Sequence, residues 1–150
     1  LELKIMLVNS PAEMLDLGQK IGTKLSSSDV VVLTGELGAG KTLLTQGIGK
    51  ALGFTHITSP TFVLSRIHKG SPNLVHVDAY RLLDAPRNSF SDLDLFGYLE
   101  SSVFVIEWGI DFVDQLSESF LEIVIKQSAN NDQREVSINT FGKRWQGFKL

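Results

Sequence analysis

The stretch GELGAGKT at residues 35–42 constrains this chain more than any other feature. Its spacing, Gly35, four residues, then Gly40-Lys41-Thr42, is the phosphate-binding loop pattern. Glycines permit the tight turn and let backbone N–H groups approach phosphates with no Cβ in the way. Such a loop works only between a strand and a helix, whose N-terminus adds unpaired donors and a positive dipole end. Both neighbours are present. VVVLT (30–34) is a β-branched run typical of a strand buried on both faces. A helix is predicted from about Lys41 to Leu52, with Gly53 placed to end it. By average residue usage, chance gives this pattern in about one chain of this length in two hundred. Lys41 then offers a point charge to the β- and γ-phosphates, and the Thr42 hydroxyl is a magnesium ligand.

The rest of the chain builds a sheet around that loop. LELKIMLV (1–8) reads as a strand. SPAEMLDLGQKIGTKL opens like a helix, with Ser10 as N-cap, Pro11 in the first helical position and Glu13 closing a capping box. Met14, Leu17, Ile21 and Leu25 recur at spacings of three and four, which predicts one buried face. Phe62–His68 and Leu74–Ala79 read as strands joined through KGSPN. Residues 80–101 are irregular or helical, broken by Pro86. SVFVIEW (102–108) is a buried strand, and LEIVIKQ with REVSINT forms a second hairpin around SANND. The tail GKRWQGFKL suggests a short helix. Residues 1–150 are expected to form a single P-loop domain of the α/β class: a mixed sheet with a parallel core and antiparallel additions, flanked by helices.

A P-loop needs a carboxylate near its metal, at the end of a neighbouring strand. Asp78 ends NLVHVD, and Glu107 ends VFVIE with Trp108 beside it. Both would lie at the carboxyl ends of core strands, where ligands of open α/β sheets collect. Glu107 is the more conspicuous, because four apolar residues precede it. Either acid alone could merely cap a strand end facing water. Thr61, in SPTF, fits simple turn chemistry or a switch threonine sensing the γ-phosphate. His56, His68 and His76 have no metal-ligand spacing and read as ordinary surface or strand histidines.

Composition narrows the partners. With 150 residues, 43% of them hydrophobic, one core is affordable. The net charge of −3 argues against a protein that grips nucleic acid by electrostatics alone. The absence of cysteine removes disulfide, thiol and Cys-ligated zinc chemistry from this chain. No leader-like or membrane-length apolar stretch is visible, so a cytoplasmic location is expected. No guanine-reading Asn-Lys-x-Asp stretch exists, Arg66, Arg81 and Arg87 do not group into a kinase-like lid, and no second helical module accompanies the loop. What remains is a minimal ATP-binding domain with no evident pocket for a second substrate, which suggests that nucleotide turnover serves a partner.

Taken in order, GELGAGKT, SPTF, HVDAYRL and IEW resemble the bacterial TsaE (YjeE) family, over roughly residues 10–140. The resemblance implies an ATPase required for threonylcarbamoyladenosine formation in tRNA. It implies ATP/ADP and Mg²⁺ as ligands, and TsaD and TsaB as partners that hold most of the tRNA. Glu36, Leu37, Gly38, Ala39, Gly40, Lys41, Thr42 and Leu43 would surround the phosphates, and Thr61 would lie in a switch-like loop. Thr42, Asp78 and Glu107 would form the metal site, with Lys41, Asp78 and Glu107 carrying the catalysis. Tyr80 and Arg81 would hold the Asp78 segment in place. Trp108 would lie over the site, Ser10 or Pro11 beside the adenine, and Arg134 would reach the nucleotide. Direct tRNA contacts would fall to Lys143, Arg144 and Lys149, which otherwise read as a solvated tail. The chain departs from the family pattern at GI after IEW and at Asp94, where glycine is expected. A small-molecule kinase, or a binding module with incidental hydrolysis, are the alternatives. Hydrolysis by the isolated chain should be slow, since no arginine finger is evident in cis.

Overall fold

The structure, a computed structural model, describes residues 3–60, 64–86, 88–130 and 132–150. Within them seven strands form one sheet: β1 (Leu3–Val8), β2 (Val30–Thr34), β3 (Ser65–His68), β4 (Asn73–Asp78), β5 (Ser102–Glu107), β6 (Phe120–Gln127) and β7 (Arg134–Phe141). Their spatial order is β1-β7-β6-β2-β5-β4-β3. Strands β6, β2, β5 and β4 are mutually parallel. Strands β3, β7 and β1 add on antiparallel. This is the expected α/β arrangement, a mixed sheet with a parallel core.

The parallel strands are continuous apolar runs because both of their faces are covered. On one face, α1 (Pro11–Gly22) and α2 (Lys41–Ala51) pack over Val31, Leu33, Val103, Val105 and Ile123. On the other, α3 (Asn88–Ser91) and short 3₁₀ turns at 96–101 and 113–115 cover Val30, Val32, Phe104 and Ile106. Helices α1 and α2 touch backbone to backbone at Gly18 and Gly47. A Cβ on Gly18 would run into the Leu44 carbonyl, and one on Gly47 into the Leu15 carbonyl. That contact fixes α2, and with it the loop it carries.

Several element ends and caps differ from the pattern, among them the strand expected over Phe62–His68, whose described part is Ser65–His68. Helix α1 ends at Gly22, so Leu25 is buried from the turn that follows rather than from the helix. The Glu13 carboxylate accepts from the Asn9 N–H at 2.6 Å, one residue before the N-cap, while Ser10 Oγ accepts from the Glu13 N–H at 3.1 Å. Strand β5 stops at Glu107, and Trp108 turns out of the sheet at φ +59°. Asp94 sits at φ +55°, a region glycine favours and aspartate tolerates.

The tail forms a 3₁₀ turn, Lys143–Trp145, and is not merely solvated. Trp145 is buried, and Arg144 lies over its ring at 4.3 Å. The Arg144 guanidinium grips the buried Asp29 carboxylate with two hydrogen bonds of 3.0 Å. No helix among the described residues is long and apolar enough to cross a membrane.

Candidate functional site

The loop between β2 and α2 turns on Gly38 and Gly40, at φ +82° and +115°. The Ala39 N–H donates to the Glu36 carbonyl at 3.0 Å, closing the turn. Gly40 is the N-cap of α2 and offers no side-chain oxygen, so no side chain caps that end of the helix. The first-turn N–H groups and the positive end of the helix dipole are therefore left without a side-chain cap, an arrangement suited to an anion.

Lys41 is buried, and its Nζ donates to the Gly35 carbonyl and, at 3.5 Å, to that of Glu36. The same ammonium lies 4.5 Å from the centre of the Trp108 ring, within cation–π range. Burial pushes its pKa below the usual lysine value, while the charges of Glu107 and Asp78 push back. Tyr80 meets Trp108 edge-on at 5.4 Å. A bulky residue at positive φ is strained; here the Trp108 N–H still donates to the Leu33 carbonyl at 2.9 Å, which holds it in place.

Asp78 and Glu107 come together through strand register. Parallel pairing of β4 with β5 sets them directly opposite each other, on the sheet face that carries α2. Asp78 is half-buried, and its Oδ1 accepts from the Tyr80 N–H at 3.1 Å. Glu107 is buried, and its Oε2 lies 2.7 Å from His76 Nε2. Lys41, Asp78, Tyr80, Glu107 and Trp108 border a cleft of about 720 Å³ lined also by Glu36, Leu37, Gly38, Gly40, Thr42 and Leu43. Leu37 is 97% exposed at the loop's tip. Thr42 is exposed on the first turn of α2, with its Oγ1 3.3 Å from Ser59 Oγ. A second cleft, of about 520 Å³, lies across the loop and shares Glu36 and Trp108 with the first.

Three predicted residues stand apart from the cleft. Ser10 caps α1. Arg134, at the start of β7, donates from Nε to the Ala39 carbonyl at 3.2 Å and from a terminal nitrogen to that of Gly38 at 3.5 Å. It thus braces the loop from outside. Ala39 itself is buried and borders the second cleft. Thr61 lies outside the described residues. The residue that pattern reading missed is His76. The available signal was its place two positions before Asp78 in NLVHVD, which in a strand puts both side chains on one face.

The donor set fits Mg²⁺. A hydroxyl and two carboxylates are hard oxygen donors, and Mg²⁺ is commonly held by one or two carboxylates together with substrate phosphates rather than by an all-protein cage. Among the described residues, no cluster of three or more acidic, histidine or cysteine side chains could enclose a metal unaided.

Known proteins resemble this chain over most of its length. The family model for TsaE, described as threonylcarbamoyl adenosine biosynthesis protein TsaE, matches residues 8–136. The tRNA threonylcarbamoyladenosine biosynthesis protein TsaE of Streptomyces coelicolor is 43% identical over 139 residues, covering 88% of this chain and 93% of its own. The Bacillus subtilis protein of the same name is 36% identical over 148 residues, covering 97% and 90%. The crystal structure of Bacillus subtilis YdiB superposes with a TM-score of 0.78 at 29% identity, covering 97% of this chain and 90% of that one.

Proposed function

Because this chain belongs to the TsaE family of threonylcarbamoyl adenosine biosynthesis proteins, we propose that it is an ATPase subunit of that tRNA modification, binding ATP with Mg²⁺ in the cleft under its P-loop. The supporting observation is the β4–β5 register, which sets Asp78 opposite Glu107 on the face carrying Lys41. Two carboxylates, one ammonium and an uncapped helix N-terminus in one cleft make a phosphoryl-transfer site.

In this reading the loop amides and Lys41 neutralise phosphate charge, and binding draws the Lys41 ammonium from the Gly35 carbonyl towards the phosphates. Thr42, Asp78 and Glu107 would hold the metal, which would supply positive charge to offset that of the phosphates. One of the two carboxylates also orients the attacking water. Trp108 and Tyr80 wall the site and limit water around it. Among the described residues lining the cleft, Lys41 is the only cation. Those lining residues offer the transition state no second positive group of the kind that accelerates P-loop hydrolases, so hydrolysis should be slow without partners.

The partners are TsaD and TsaB, and ATP turnover resets their complex between rounds of transfer. The deciding test is multiple-turnover formation of threonylcarbamoyladenosine on tRNA by the TsaB–TsaD pair supplied with threonylcarbamoyl-adenylate. Repeated turnovers should require this protein and fail with Lys41→Ala. Equal yields with no addition, wild type and variant would overturn the assignment. ADP formation that depended strictly on an added small acceptor would favour a kinase instead.

A further inference from the structure

The geometry points to His76 as the positioning residue for Glu107, fixing one carboxylate oxygen so that the other faces the cleft. This rests on the ATPase reading above, in which Glu107 serves the reacting phosphate or its metal. His76 is fully buried in β4, between Val75 and Val77, on a face otherwise filled by Leu74, Val103 and Val105. An apolar side chain would fill that space without leaving a polar atom behind. Instead the ring spans diagonally from β4 to β5, and its Nε2 lies 2.7 Å from Glu107 Oε2.

The hydrogen-bond pattern assigns the tautomer. An ionised carboxylate only accepts, so the imidazole donates its Nε2–H. Nδ1 finds no partner among the described residues, as befits a bare lone pair rather than a stranded N–H. Asp78, the other acid of the cleft, is held by a backbone N–H from its own turn. Glu107 has no such turn to hold it, because the chain leaves the strand at once through Trp108 at positive φ. The ring supplies from the neighbouring strand what the local backbone does not.

Two measurements on the full chain test this. The first is imidazole ¹⁵N NMR of the nucleotide-free protein. His76 should show the Nε2-protonated tautomer, and Glu107→Gln should shift that signal. The second is single-turnover ATP hydrolysis alongside ATP affinity. His76→Phe should slow hydrolysis roughly 10- to 100-fold, the usual effect of removing a group that orients a site residue, with ATP affinity retained. His76→Gln, which can still place an N–H donor near the carboxylate, should recover most of the rate. In a Glu107→Gln background, His76→Phe should add little. A ring whose tautomer ignores Glu107, a wild-type rate in His76→Phe, or a Gln variant as slow as Phe would each overturn the proposal. If His76→Phe does not fold, the Gln variant and the NMR signal decide. Equal hydrolysis by wild type and Glu107→Gln would bring down the ATPase reading itself, and this proposal with it, even if the ring still senses the carboxylate.

Discussion

At the scale of single residues, the site is a set of groups held against their own preferences. A buried lysine with a lowered pKa takes up its proton less readily than in the unfolded chain, so below the unfolded value of 10.5 its charge costs stability. That penalty grows as pH falls through 10.5 and is complete below the folded pKa. Lys41→Met keeps the stem and removes the charge, so its melting temperature should equal or exceed wild type. ATP affinity should nonetheless fall by about 1.5–3 kcal/mol, the worth of a charge-assisted hydrogen bond. Calorimetric melting and titration with ATP and Mg²⁺ would separate the two effects. His68 makes a parallel case outside the cleft. Its Nε2 is buried without a partner among the described residues, and burial, then His76, then Arg66 push its pKa below 6.5. The unfolded chain therefore binds that proton first. Stability should begin to drop as pH falls through 6.5, and the loss should be complete below the folded pKa. His68→Phe should lose less melting temperature between pH 7.5 and 5.5 than wild type does. Lys41, Asp78 and Glu107 were legible in the sequence because a P-loop and an apolar run ending in an acid each have a fixed meaning. His76 was not, because its partner lies 31 positions away on another strand and no local spacing records that pairing.

At the scale of elements, periodicity located the strands and the two long helices, and boundaries moved where a tertiary contact overrode the pattern. Strand β5 reads through Trp108 in the sequence, yet the residue must leave the sheet to cover Lys41. Helices α1 and α2 cross in backbone contact at Gly18 and Gly47, and helical periodicity gave no sign of it, since glycine has no side chain to register on a face. Gly47→Ala would press a methyl group into the Leu15 carbonyl. The helices would have to part, at a cost of about 1–3 kcal/mol by analogy with overpacked cores. Helix α2 carries Lys41 and Thr42 in its first turn, so the same displacement should reach the loop. Chemical denaturation should show the loss of stability, and ATP affinity should fall with it. Retained affinity in a destabilised variant would mean that the loop is held independently of the crossing, by Arg134 and the β2 end.

At the scale of the whole molecule, strand order was the part least accessible to pattern. Hairpins and parallel runs can be read one by one, but nothing local says that β7, last in sequence, slots between β1 and β6. That insertion brings the tail back over the first half of the chain, where Arg144 meets Asp29. The consequence is electrostatic. Of the three tail cations that could face RNA, Arg144 is committed to an ion pair and a tryptophan face, and the chain's net charge is −3. Affinity for polyphosphate backbones depends on how many cations neutralise phosphates, and falls steeply with salt. Lys143 and Lys149 with few neighbours cannot supply a stripe of six or more contacts. The isolated protein should therefore bind tRNA more weakly than about 10 μM at physiological salt, within or beyond the range of non-specific binding. Lys143→Ala with Lys149→Ala should change little in a fluorescence anisotropy titration. Tight binding that these two substitutions abolish would instead place tRNA on this chain's own tail. The partners would then share that load rather than carry it.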